Sequence, residues 1–443
     1  MTVAATEQGP FSVDKHTLTT STAASRAFTL TNADFIPTLP ETIDNLKLPY
    51  NSRKHKYLLF TPGPVNVAEN VRSAIGKEGI CHRESDFDDL LLSVENKVLK
   101  LFEIKNVNNY RAVFITGSGT AANEAILSSV VGNKNILVLS NGEFGERLHA
   151  ISQIHNANTY LLEFPWGKSL KLEVIDAFVK RHQIDVIAMV HHETSSGMLN
   201  PLGGIGALSK ANGSVLFVDC VSSAGAEIID MEKDNIAFCS SSSSKAIGSY
   251  AGLSFVIGET VEFEKLKNLP VKTSYLNLYK FYKFSKNLSQ TPNTPAIPLL
   301  FSLEEALANI LLEGVANRHA EIRRKAKLLR QGMLKLGLNF LLDQKEMSSV
   351  LTNVFIPIHI NFKDFRQKLR EKMIIIYEAK GCFKDRMFQV GNIGELSNAD
   401  IRFFLSVQKE ALSNYERHEP VQAISIIDQI PLLPLCKNDV AFV

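Results

Sequence analysis

From about residue 57 the chain alternates short apolar runs with helix-length amphipathic segments. The runs are AVFITG (112–117), NILVLS (135–140), TYLLEF (159–164), VIAMVHH (186–192), VLFVDC (215–220), IAFCS (236–240) and LSFVIG (253–258). Between them lie TAANEAILSSVV (120–131), FGERLHAISQIHN (144–156), LEVIDAFVKRHQ (172–183) and GIGALSKAN (204–212). Near-continuous apolar runs of this length, rich in β-branched residues and separated by helical patterns, predict an α/β fold around a mainly parallel, seven-stranded sheet. Ligands on such sheets gather in the loops at the carboxyl ends of the strands.

After residue 300 the alternation stops. FSLEEALANILLEGVANRHAEIRRKAKLLRQGMLKLG (301–337) reads as one long helix, or as two helices meeting near Gly314. VLTNVFIPIHI (350–360), DFRQKLREKM (364–373), MIIIYEA (373–379), MFQVGNI (387–393) and ADIRFFLSVQKEAL (399–412) suggest a smaller α+β domain. The expected organisation is an N-terminal extension over 1–56, partly disordered, and a large domain over 57–315. A small domain over 316–415 and an apolar tail over 416–443 follow, the tail packing on the body or on a neighbouring subunit.

Composition narrows the function classes. The 48 Lys and Arg against 46 Asp and Glu leave no polybasic surface for nucleic acid. No apolar run approaches the ~18 residues that a membrane helix needs. The five cysteines form no CxxC pair, so neither a metal site nor a disulfide framework is expected, and a reducing, cytoplasmic setting follows.

Three stretches carry candidate chemistry. In TGSGTAANEA, the residues Gly117, Ser118, Gly119 and Thr120 follow a strand and open a helix. That is either a phosphate cradle of N–H groups and hydroxyls or an ordinary small-residue turn. Asp219 ends an apolar strand, where a buried carboxylate needs a cation or strong donors. It is either a turn residue satisfied by local amides or an anion aimed at a cationic ligand atom. Lys245 closes the run SSSSSK between two apolar flanks, which argues against a flexible linker. A lysine held there has a depressed pKa and a free amine able to bond to a carbonyl carbon, unless it is salt-bridged. An anion cradle, a strand-end carboxylate and a free amine together are what pyridoxal phosphate requires.

Further segments carry a resemblance. LLFTPGPVNV (58–67), ICHRESDFDDLL (80–91), LSNGEFGER (139–147), MVHHETSSGMLNPL (189–202), FVDCVSSAG (217–225), TPNTPAIPLLFSLEEAL (291–307) and VGNIGEL (390–396) resemble the class V, fold-type I aminotransferases. Within them the chain is most similar to the 2-aminoethylphosphonate–pyruvate aminotransferases. The resemblance implies a pyridoxal-phosphate enzyme that moves an amino group from a small amine or amino acid to a 2-oxo acid. Lys245 would bond the cofactor's aldehyde carbon and Asp219 would face its pyridine nitrogen. Ser118, Gly119 and Thr120 would hold its phosphate, aided by Ser244. Phe144 matches a position that stacks on the ring, and Thr194 one beside it. Thr294 matches a residue reaching the neighbouring subunit's phosphate, which implies a homodimer with shared active sites.

One position departs from the family. Its FRIGN arginine, which receives the substrate's anionic group, is replaced by Gln389 in MFQVGN. A neutral amide cannot match the charge-assisted, bidentate grip of a guanidinium. Arg386, three residues away on a strand, faces the opposite side. Arg83, in CHRESDF, is either an alternative cation or a surface or helix-capping residue, so the candidate substrate contacts are Gln389 and Arg83. YEAKG (377–381) also departs from the family's YPGK. The rival readings are a different pyridoxal-phosphate reaction, such as a lyase or tailoring step, and a non-catalytic dimeric scaffold.

Overall fold

The structure is a computed structural model that describes residues 56–413 except 131, 133 and 157. The extension before residue 56 and the tail after residue 413 lie outside the described residues. Seven strands form the main sheet, in the order Tyr110–Thr116, Leu253–Glu259, Phe238–Ser242, Val215–Asp219, Val186–Val190, Ile136–Ser140 and Thr159–Glu163. Leu253–Glu259 runs antiparallel to both neighbours and every other pairing is parallel. The sheet is therefore the mainly parallel one that the apolar runs predict.

Its residues alternate between two cores, as the period-two geometry of a strand requires. Leu137, Leu139, Ile187 and Met189 pack on one face with helices Ser85–Leu101, Leu202–Ala211 and Ile297–Glu313. Ile136, Val138, Val186 and Ala188 pack on the other with Gly119–Ser129, Glu143–His155 and Leu278–Leu288. Helices Ser85–Leu101 and Leu278–Leu288 have no counterpart among the segments picked out by periodicity. The stretch over 301–337 resolves into two helices, Ile297–Glu313 and Val315–Lys335, broken at Gly314 with a φ of 86°. The strand at 238 extends to Ser242, two residues past the apolar run, so three of the five serines belong to the sheet.

Beyond these helices a three-stranded antiparallel sheet places Met387–Gly391 between Leu351–Phe355 and Tyr377–Glu378. Helices Val315–Lys335, Phe362–Glu371 and Asn398–Ser413 cover it through a third core that includes Phe388, Val390, Phe404 and Leu405. Strand Leu58–Leu59 pairs with Ile374–Ile375, which brings the TPGPV loop over this sheet. Cys382 is disulfide-bonded, which corrects the expectation of thiols without a disulfide, while Cys81, Cys220 and Cys239 are free. No described helix is long and apolar enough to cross a membrane.

Gly391 is where the small sheet meets that loop. A Cβ there would lie 2.3 Å from the Thr61 carbonyl oxygen and 2.6 Å from its carbon. Backbone cannot step aside as a side-chain tip can, so Gly391→Ala should destabilise the fold by about 1–3 kcal/mol. Urea unfolding measures this, and an unchanged midpoint would contradict the close approach.

Candidate active site

A cavity of about 330 Å³ opens at the carboxyl ends of the central strands. Ser118, Gly119, Thr120, Phe144, Asp219, Ser244 and Lys245 all line it, so the structure brings seven of the sequence-derived candidates to one place.

Asp219 ends the Val215–Asp219 strand and is almost fully buried. Its Oδ1 accepts from the Val221 N–H at 2.8 Å and its Oδ2 from the Asn123 side-chain amide at 2.7 Å. Burial raises this carboxyl, while those two donors and the charges of Arg147 and Lys245 pull it down. Asn123 is itself held by the Ser240 hydroxyl, which donates to its Oδ1. The helix Gly119–Ser129, the Asp219 strand and the first serine of the run are thus joined by one chain of hydrogen bonds. Nothing in the spacing of the sequence singled out Asn123, whose role depends on two partners distant along the chain.

Ser118 is the N-cap of helix Gly119–Ser129, yet its side chain makes no capping bond. That leaves its hydroxyl and the first helical N–H groups directed at the cavity. A Cβ at Gly119 would lie 2.6 Å from Val221 Cγ2, so only glycine allows the helix start to sit this close to the strand end. The serines divide by the alternation of the strand. Ser240 bonds Asn123 and Ser242 bonds Ser244, both toward the cavity side. Ser243 donates to the Tyr250 and Leu253 carbonyls instead.

The side-chain amine of Lys245 makes no hydrogen bond or ion pair among the described residues. Burial lowers its amine, reinforced by the positive charge of Lys380, opposed by Asp219 and reinforced again by Arg147. Gly63 makes room for it, since a Cβ there would lie 2.5 Å from Lys245 Cδ.

Phe144 stands on the first turn of helix Glu143–His155. The helix start is capped by Glu193, which accepts from the N–H groups of Phe144 at 3.2 Å and Gly145 at 3.1 Å. Glu193 is fully buried, and burial pushes its carboxyl up to about 7. The Arg147 guanidinium lies 4.7 Å from the centre of the Phe144 ring and the Lys380 ammonium 5.5 Å.

Four sequence-derived candidates do not line the cavity. Thr194 is buried, and its carbonyl accepts from the Gln389 amide at 2.7 Å. Thr294 is exposed, 3.4 Å from His82 Nε2. Arg83 is at the surface and donates to Gln290 and to the Thr291 carbonyl. Gln389 faces Asn353 on the adjacent strand, and Asn353 in turn donates to the Ser195 carbonyl at 2.7 Å. The two amides fasten the hairpin at 192–199 to the small sheet. His192, which sequence reasoning passed over, lines the cavity beside Lys245. Its Nδ1–H donates to the Ser222 carbonyl and its Nε2 accepts from the Ser348 hydroxyl at 2.7 Å.

The arrangement fits pyridoxal phosphate on its donor set: unspent hydroxyls and N–H groups at a helix start, a buried carboxylate lacking a cation, and an unpaired amine. Comparisons with known proteins agree. The model of the class-V aminotransferase family matches residues 66–404. A 2-aminoethylphosphonate–pyruvate transaminase of Phocaeicola vulgatus is 32% identical over 349 residues, covering 78% of this chain and 96% of that protein. An uncharacterised aminotransferase of Methanocaldococcus jannaschii is 30% identical, covering 81% of this chain and 93% of its own length. The alanine–glyoxylate aminotransferase structure from Nostoc sp. superposes with a TM-score of 0.76 at 27% identity, covering 83% of this chain and 99% of that one.

The buried histidines beneath this site give the fold a defined acid limit. Burial lowers His191 from 6.5 to about 3 and His192 from 6.5 to about 4. Below pH 6.5 the unfolded chain binds protons that the folded chain refuses, so stability is lost as pH falls toward those values. Glu193 acts in the opposite sense: its carboxyl is raised from 4.5 to about 7, so its contribution is full below pH 4.5 and lost as pH rises through 7. Asp219 and Glu95 are raised by burial in the same sense as Glu193, so the test is the difference between variants. As pH falls from 7 to 4.5, Glu193→Gln should lose more of its urea midpoint than the wild type does; identical pH profiles would contradict the burial of Glu193.

Proposed function

The chain belongs to the class-V aminotransferase family, and we propose that it transfers the amino group of a small anionic amine to a 2-oxo acid at the Lys245 cavity. It is an aminotransferase, and its family implies pyridoxal phosphate as cofactor. The observation that carries the site assignment is the convergence of an unpaired Lys245 amine, the Asp219 carboxylate and the Ser118–Thr120 helix start on one cavity.

When bound, pyridoxal phosphate supplies an aldehyde for the amino group and a ring that withdraws electrons from the carbon losing its proton. Ser118, Gly119, Thr120 and Ser244 would hold the phosphate, and Phe144 would cover one ring face. Thr194 is buried outside the cavity lining, one residue from Glu193. Asp219 would keep the ring nitrogen protonated, because a cation opposite it offsets the burial that raises its carboxyl. Lys245 would carry the proton from the substrate Cα, a task suited to an amine whose pKa burial lowers. His192, kept neutral by burial, orients its Nδ1–H at the Ser222 carbonyl and so steadies the loop after Asp219.

The relatives' names support 2-aminoethylphosphonate as donor and pyruvate as acceptor. The match of Thr294 to a family position that reaches the neighbouring subunit's phosphate supports a homodimer.

The purified protein should show a visible absorption band from bound cofactor, and borohydride should fix that cofactor to the chain. Lys245→Ala should abolish the fixation while leaving the fold intact by circular dichroism. Adding 2-aminoethylphosphonate should bleach the band, and pyruvate should restore it. A protein that never takes up cofactor would overturn the assignment, whereas bleaching by other amines alone would overturn only the donor.

A further inference from the structure

The family's substrate arginine is absent at 389, and the amide that replaces it is already committed to the Thr194 carbonyl. An anionic substrate therefore needs another cation in the cavity. Resting on the aminotransferase reading above, we propose that Arg147 and Lys380, flanking the Phe144 ring, form the subsite for the substrate's phosphonate or carboxylate.

The subsite is built from two directions. Arg147 lies one turn beyond Phe144 on helix Glu143–His155 and lines the cavity itself. Lys380 comes from the small sheet, immediately before the turn Gly381–Phe383. That turn is fixed against the same helix through Trp166. A Cβ at Gly381 would lie 2.4 Å from the Trp166 ring, and Phe383 packs on it edge-on at 5.7 Å. The Trp166 Nε1–H donates to Glu146 Oε1 at 2.7 Å. Lys380 is thus held over Phe144 by its surroundings, with the ammonium 5.5 Å from the ring centre.

Glu143 lies between the two cations, 2.8 Å from Arg147 Nη2 and 3.6 Å from Lys380 Nζ. Glu143 is the one carboxylate in ion-pair contact with both cations among the described residues, so neither cation has a carboxylate to itself. All three side chains are partly exposed, so an arriving anion can compete with Glu143 for both cations. Arg147 offers the planar fork suited to a carboxylate or phosphonate, and Lys380 a point charge opposite it. The positive charge of Lys380 also acts on the Lys245 amine.

The test uses cofactor-loaded enzyme and follows bleaching of the visible band with two amines of equal length, 2-aminoethylphosphonate and 2-aminoethanol. Lys380→Ala and Arg147→Ala should each raise the half-saturating phosphonate concentration by about tenfold or more, with about a twofold change or less for the alcohol. Added salt should weaken phosphonate binding in the wild type and do so less in either variant. Glu143→Gln should act in the opposite direction and tighten the phosphonate, an effect that loss of packing would not produce. Wild-type half-saturation in Lys380→Ala, or equal weakening of both amines in both variants, would overturn the subsite. Failure of every amine to bleach a loaded enzyme would instead overturn the aminotransferase reading on which it rests.

Discussion

The carboxylate of Asp219 has to be kept in the interior at the end of a central strand, and much of the site is arranged to make that tolerable. A buried carboxylate without partners loses several kcal/mol of hydration. Here it accepts from the Val221 N–H and from Asn123, and Asn123 is oriented by Ser240 on the neighbouring strand. Asn123 sits about one and a half turns along the helix that begins at Ser118. The hydrogen bond that satisfies the carboxylate therefore also sets the distance between it and the helix start. The helix start and the carboxylate are thus held at a spacing that helix rise sets.

The serine run is shaped by the same requirement. A strand presents alternate residues to opposite faces, so Ser240 and Ser242 share the side that carries Asn123 and Ser244. Ser241 points the other way, where its hydroxyl is buried without a partner among the described residues. Ser243 ends the strand by donating to two carbonyls. Small hydroxyls let the strand stay buried on both faces while feeding hydrogen bonds toward the cavity. Leucine or valine at 240 would leave Asn123 unoriented, and the carboxylate would lose the donor that Ser240 holds in place.

Legibility in the sequence tracked how local each signal was. Val215–Asp219 and Leu253–Glu259 are apolar enough that periodicity alone marks them, and Asp219 and Lys245 stand out as charges against apolar flanks. Strand Phe238–Ser242 is harder to delimit, because its last residues are serines whose burial comes from the fold around them. Helix Ser85–Leu101 opens with SDFDD, whose acidic residues disguise an amphipathic face that buries Phe87, Leu90, Leu91 and Val94. Glu193, Asn123 and His192 were invisible for a deeper reason. Each acts on a segment far along the chain, so neither residue type nor spacing distinguishes it from an ordinary polar residue. The resemblance to a known family singled out Thr194, while the capping carboxylate is its neighbour.

Gln389 shows how position and role can separate. An arginine at 389 would bring a charge to a point where the chain now needs a neutral donor for the Thr194 carbonyl. The adjacent Asn353 performs the same service for Ser195, so the two amides act as a pair across the sheet. Ser348 adds a third tie through His192, and Gly391 a fourth through its close approach to Thr61. The small sheet is consequently fastened at several points to the loops that carry the site. A cation supplied from beyond that clamp, as Lys380 is, keeps its place relative to Phe144 without drawing on residue 389. Exchange of an arginine for a glutamine at one strand position then leaves the positive charge to Arg147 and Lys380 beside the Phe144 ring rather than removing it.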